Sequence, residues 1–184
     1  MTGRFIGFKV RVFLIAIGVM LFLLMSLFNG CKDDSPQSSV PPVISFQGYE
    51  LLKDTAHTDS LLILTFDYED PDGDIGLNSD DTLPPFNSGS EFQYNLFLDV
   101  FELKNGQKLP VNQPGTTEPE VFDQRIPNLT PTGRNRKING SISIRLDATR
   151  NYLYPDSVEC KIQIADRALN KSNVLTTQPI VLTH

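Results

Sequence analysis

Tryptophan is absent from this chain of 184 residues, and cysteine and histidine occur only twice each. So few sulfur and imidazole ligands cannot build a four-ligand zinc finger of the usual kind, a CxxC redox pair or a haem-attachment motif. Basic residues are also in deficit, 16 against 22 acids, and the formal charge of -6 repels a phosphate backbone. No segment sustains a 3.6-residue apolar period, so helices should be few. The motifs of serine hydrolases, zinc proteases and phosphate-cradling glycine loops are missing. A carboxylate-dependent hydrolase needs only two acids facing across a cleft, but nothing in the chain marks such a pair, and no tryptophan is present to stack on a sugar ring.

What the chain does have begins at its N-terminus. Arg4, Lys9 and Arg11 precede an uncharged stretch, residues 12–27, and no acid occurs before Cys31. That stretch is shorter than the ~20 residues of a membrane-spanning helix and fits the apolar region of a secretory signal. In Leu27-Phe28-Asn29-Gly30-Cys31, Phe28 is too bulky for the −3 position of an ordinary signal-peptidase site. A Cys following Gly30 instead resembles the lipobox of Bacteroidetes lipoproteins. The resemblance implies a signal peptide over 1–30, cleavage before Cys31 and acylation of its sulfur with palmitate-like chains. Each buried CH₂ contributes about 0.8 kcal/mol, so several chains hold a protein firmly to a membrane. Lys32-Asp33-Asp34 resembles the export signal that sends such lipoproteins to the exterior of the outer membrane. An uncleaved signal anchor is the competing reading. Cleavage would remove three bases and no acid, leaving 154 residues with a net charge of −9.

Residues 31–42 then read as the lipidated Cys and a Ser/Pro-rich tether. From residue 43 to 184 the pattern is short strands with polar punctuation. Val43-Ile44-Ser45-Phe46 opens the domain and residues 49–53 continue it. The run Ser60-Leu61-Leu62-Ile63-Leu64-Thr65-Phe66 predicts a central strand buried on both faces. Phe92, Tyr94, Leu96, Leu98 and Val100 alternate with polar neighbours and predict a strand over 92–100 with these side chains inward. Further strands are expected over 120–126, 137–146, 158–164 and 174–182. In 158–164, Val158, Cys160, Ile162 and Ile164 share one face and Glu159, Lys161 and Gln163 the other. Seven to eight strands joined by Pro, Gly, Asn and Asp turns predict an all-β fold, a single β-sandwich.

The densest cluster of chemistry is Asp67-Tyr68-Glu69-Asp70-Pro71-Asp72-Gly73-Asp74-Ile75-Gly76. Acids at alternate positions with intervening Gly let a tight loop aim carboxylates at one centre. Ca²⁺ takes six to eight oxygens at about 2.3–2.6 Å and suits such a loop. An EF-hand is excluded, because Ile75 stands where its turn needs Gly. The sequence also allows a solvated Asx-turn loop that holds no ion. Asp166-Arg167-Ala168-Leu169-Asn170-Lys171-Ser172-Asn173 resembles the Asp-x-Ala-Gly-Asn-x-Ser-Asn turn between the last two strands of bacterial Ig-like domains, with Leu169 in place of the Gly. With the N-terminus and the acidic loop, this suggests an Ig-like lipoprotein domain of the Bacteroidetes type. The resemblance implies that Asp166 and Asn170 lie at the same end as Asp70, Asp72 and Asp74 and complete a calcium site.

Thr55, Ser60, Thr82 and Ser157 each follow an Asp and precede an apolar residue or Ala, which resembles a Bacteroidetes O-glycosylation triplet; a turn acid entering a strand gives the same spelling. Cys160 reads as a small buried hydrophobe. Phe97 and Phe101 break the polar face of their strand, and are either a protein contact or core beneath residues 109–122. The functional expectation is a lipid-anchored interaction module at the cell surface, without catalytic activity or nucleic-acid partner. The alternatives are a glycan-binding accessory of a polysaccharide-uptake system, using Tyr49, Tyr152 or Tyr154, and the carboxylate hydrolase.

Overall fold

A computed structural model of the chain describes residues 39–131 and 136–184. The signal segment, Cys31, Lys32, Asp33 and Asp34 lie outside the described residues. The described strands are β1 (Val43–Lys53), β2 (Asp59–Asp70), β3 (Leu96–Lys104), β4 (Gln107–Pro110), β5 (Ile138–Asp147), β6 (Ser157–Ile164), β7 (Leu175–Thr176) and β8 (Ile180–Val181). One sheet has the order β1-β2-β5; the other has β4-β3-β6, with β7 and β8 both on the far edge of β6. Every strand pair is antiparallel. The chain is therefore an all-β sandwich in which the first, second and fifth strands face the third, sixth and last.

Alternation of side chains decides which faces meet. On β2, Leu62, Leu64 and Phe66 are fully buried, whereas Leu61, Ile63 and Thr65 are half-buried. The expected burial on both faces is thus corrected: β2 is central in its sheet, but a two-layer sandwich covers only one face. Across the interface stand Leu96, Leu98 and Val100 of β3 and Val158, Cys160, Ile162 and Ile164 of β6. Each such side chain contributes roughly 1.5–3 kcal/mol on full burial. β1 carries a bulge in which Gln47 is the extra residue between Phe46 and Gly48, which accounts for the interrupted apolar pattern there.

Other boundaries differ from the sequence pattern for local reasons. Phe92 and Tyr94 precede β3 and are half-buried; Phe92 packs edge-on against Phe97, with ring centroids 6.3 Å apart. The segment 120–126 is not a strand: it touches the sheet at a single bridge, Gln124 with Leu96. The expected strand over 174–182 is split, because Thr177 turns inward to accept the Cys160 N–H and Pro179 has no N–H to offer. Glu159 is buried rather than outward-facing, and receives Lys108 Nζ at 2.5 Å.

The one-sided burial of β2 makes a direct prediction. Phe66→Ala should cost about 3–5 kcal/mol in urea denaturation. Ile63→Ala, one strand position from the core face, should cost less than half as much. Equal costs would contradict the two-layer reading.

Candidate metal centre

β2 runs into the acidic loop at Asp70, and the loop's shape follows from where its N–H groups point. Asp70 is fully buried, and its Oδ2 accepts the backbone N–H of Asp74 at 2.8 Å and of Ile75 at 3.1 Å. This Asx-type closure coils residues 70–75 and brings one carboxylate oxygen each of Asp70, Asp72 and Asp74 to within 4.8 Å of the others. Gly73 permits the coil: it adopts φ 65°, and a Cβ there would stand 1.6 Å from the Arg136 carbonyl oxygen. Gly76 does the same at φ 108°, with the Pro127 carbonyl oxygen 2.1 Å from its absent Cβ.

The second piece arrives from the β6–β7 connection. Ile75 and Asp166 form an antiparallel bridge, and the Arg167 N–H donates to the Asp74 carbonyl at 3.1 Å. Asp166 is buried, with its Oδ1 taking the Asn170 N–H at 2.8 Å and its Oδ2 the Asn170 Nδ2 at 2.7 Å. The two loops therefore touch at one end of the sandwich, but the five residues divide. Asp70, Asp72 and Asp74 make the cluster; Asp166 flanks it, and Asn170 caps Asp166. Leu169 holds φ 70°, so it takes the left-handed conformation that Gly would supply, at a strain of roughly 1–2 kcal/mol. Ser172 Oγ accepts the Ile164 N–H, and the Asn173 amide brackets Ile44, accepting its N–H and donating to its carbonyl, each at 2.9 Å.

Electrostatically the cluster is strained. Asp70 Oδ1 and Asp74 Oδ1 are buried with no hydrogen-bond partner. Burial first, and then the neighbouring Asp72 carboxyl, push the Asp70 pKa up to about 6. Burial, then Asp166, Asp72 and Asp70, push Asp74 up to about 6 as well, and burial raises Asp166. The Arg167 guanidinium turns to Asp81, with Nη1 at 2.5 Å from Oδ2 and Nη2 at 2.9 Å from Oδ1, and holds Asp81 down at about 2. Below pH 6 protons can screen the buried acids; above it a cation of oxygen-seeking type fits the donor set. The Arg167–Asp81 pair was not foreseen from sequence, since 86 residues separate its members.

The remaining candidates are scattered. Thr55 is exposed in a turn and Thr82 in irregular backbone, whereas Ser60 and Ser157 are half-buried at strand starts, the Ser60 hydroxyl donating to the Leu52 carbonyl at 3.1 Å. Tyr49 and Tyr152 are exposed. Tyr154 lines a shallow cleft of about 340 Å³ with Gln113, Thr116, Arg150 and Asn151. Phe97 and Phe101 are half-buried under lysines, Lys171 Nζ lying 4.7 Å from the Phe97 ring and Lys161 Nζ 5.1 Å from the Phe101 ring. Cys160 is fully buried, and burial together with Glu159 pushes its thiol up to about 12, which leaves no thiolate for nucleophilic chemistry. The chain matches no protein-family model, no curated protein and no solved structure.

The raised carboxyl groups set a pH dependence. Asp70 and Asp74 bind protons more tightly folded than unfolded, so their contribution is fully present below about pH 4 and is lost as pH rises through about 6. Asp54, Asp67 and Asp81 are lowered from 3.8, so theirs is lost only as pH falls below that range. In chelator, the melting midpoint of the wild type should therefore fall between about pH 4 and about pH 6.5, and Asp70→Asn should flatten the decline. A midpoint that rises through that window in both proteins would contradict the crowding described.

Proposed function

We propose that this chain is a lipid-anchored interaction module of the cell surface, without catalytic activity, whose sandwich is braced at one end by a calcium ion. The observation that carries the ion is the fully buried Asp70, whose Oδ1 has no partner although two further carboxylates lie within 4.8 Å. Calcium would take Asp70, Asp72 and Asp74 as ligands and leave Asp166 and Asn170 as the flanking pair that fixes the loop from the second sheet. The ion supplies rigidity rather than chemistry: a glycosidase pair stands about 5–9.5 Å apart across a cleft, whereas these acids share one turn. The anchor rests on the Gly30-Cys31 resemblance and on Lys32-Asp33-Asp34, and places the module on the outer membrane.

A second reading, glycan binding, is favoured by one feature. Tyr154 offers an aromatic face beside amide, hydroxyl and guanidinium groups in its cleft, with Tyr152 exposed nearby in sequence. Loss of polysaccharide retention in Tyr154→Ala, measured by affinity electrophoresis, would support it; unchanged retention would remove it.

For the ion, calcium at about a hundred times its dissociation constant should add about 2.7 kcal/mol, or roughly 5–10 °C in melting midpoint. Asp70→Asn should raise the metal-free midpoint at pH 7.5 and abolish the response. No shift at millimolar calcium would end the ion reading. For the anchor, labelled palmitate should enter the wild type and not Cys31→Ser; equal labelling would end that reading.

A further inference from the structure

The first described residues of the chain do not approach the sandwich at random. Val40 donates its N–H to Asp72 Oδ2 at 3.2 Å, and Ser39 Oγ accepts a hydrogen bond from Asn170 Nδ2. Asn170 uses the same amide nitrogen to hold Asp166 Oδ2. Pro42 is buried, and two residues later the Asn173 amide brackets Ile44. The end of the tether is thus seated on the acidic loop of one sheet and the Asp166–Asn173 turn of the other. Its two outermost contacts are made to an acid of the cluster and to the cap of the flanking acid. The cluster also contains the fully buried Asp70 with Oδ1 unpartnered, so it is more than a collection of surface acids.

Resting on the cation reading above, we infer that a divalent cation at Asp70, Asp72 and Asp74 works as a latch that seats Ser39 and Val40 on the sandwich, so that ion occupancy fixes where the tether leaves the domain. The physical link is Asp72. A carboxylate can ligate calcium through one oxygen and accept an N–H through the other, and ligation removes the repulsion that drives the acids apart. With Asp72 oriented by the ion, the Val40 N–H meets an acceptor of fixed direction. Without the ion, the acceptor moves with the loop, and the seat for residues 39–42 loosens. Binding couplings are reciprocal, so the seated segment must raise calcium affinity by the factor with which calcium stabilises the seat. In a tethered protein this converts external calcium into the stiffness of the junction between leash and body.

Amide hydrogen exchange on the full-length chain in detergent tests this, with calcium, magnesium or chelator present. Calcium should slow exchange of the Val40 amide at least tenfold. Ser39→Ala combined with Val40→Pro removes the hydroxyl and the N–H without touching a carboxylate, and isothermal titration should show its calcium affinity reduced 3- to 10-fold. The metal-free melting midpoint of this variant should stay at the wild-type value, which guards against simple misfolding. If the wild type binds calcium while Val40 exchanges at an unchanged rate and the double variant binds as tightly, the latch is overturned and the ion site stands. If the wild type binds no calcium at all, the ion reading falls and the latch falls with it.

Discussion

Carboxylates that are denied water repel one another, and the geometry at one end of this sandwich is arranged around that fact. The loop that leaves β2 cannot spread its acids into solvent, because Asp70 closes it from within by accepting the N–H groups of Asp74 and Ile75. Gly73 and Gly76 let the coil press against the backbones of Arg136 and Pro127. The result is negative charge stored in a folded turn, with Asp70 and Asp74 held protonated up to about pH 6. Below about pH 6 protons answer that charge, and above it the acids repel one another.

The same end is where the two sheets are fastened. The Ile75–Asp166 bridge and the Arg167 N–H to Asp74 carbonyl bond join the β2 loop to the β6–β7 turn. Asn173 clamps Ile44 at the start of β1, and Arg167 reaches outward to pin Asp81. Each polar side chain of the Asp166, Asn170, Ser172, Asn173 series has a structural partner, so the turn is fixed by its own side chains. Leu169 shows that hydrogen bonds on either side can impose the left-handed conformation without the glycine.

Strands whose faces alternate cleanly were legible from sequence, as β5 and β6 illustrate, and so was β1 with its interruption; β2 was legible as a strand but not as one-sided, because apolar residues stand on both of its faces. Period-two patterns fail where alternation outlasts the hydrogen-bond ladder. Phe92 and Tyr94 continue the apolar phase of β3 but lie before its ladder, and Phe92 packs against the Phe97 ring and under Lys171 instead of pairing. Strand β4 escaped notice because all four of its residues are exposed. Its signal was the turn before it: Asn105 and Gly106, both at positive φ, form the dipeptide that closes tight hairpins. In the candidate site, Asp70, Asp72 and Asp74 were readable because spacing within a loop is local. The roles of Asp166 and Asn170 were only half-readable: their arrival at the site follows from strand order, but their preference for each other is set by backbone geometry that no spacing records. The contacts of Ser39 and Val40 carried no sequence signal, since a Ser/Pro-rich leader looks the same seated or free.

The most direct measurement of the central claim is a crystal structure grown at pH 7.5 in millimolar calcium. The account predicts a density peak coordinated by oxygens of Asp70, Asp72 and Asp74 at about 2.3–2.6 Å, with six or more oxygens in total. The three carboxyl groups lying together at saturating calcium with no such peak between them would contradict it.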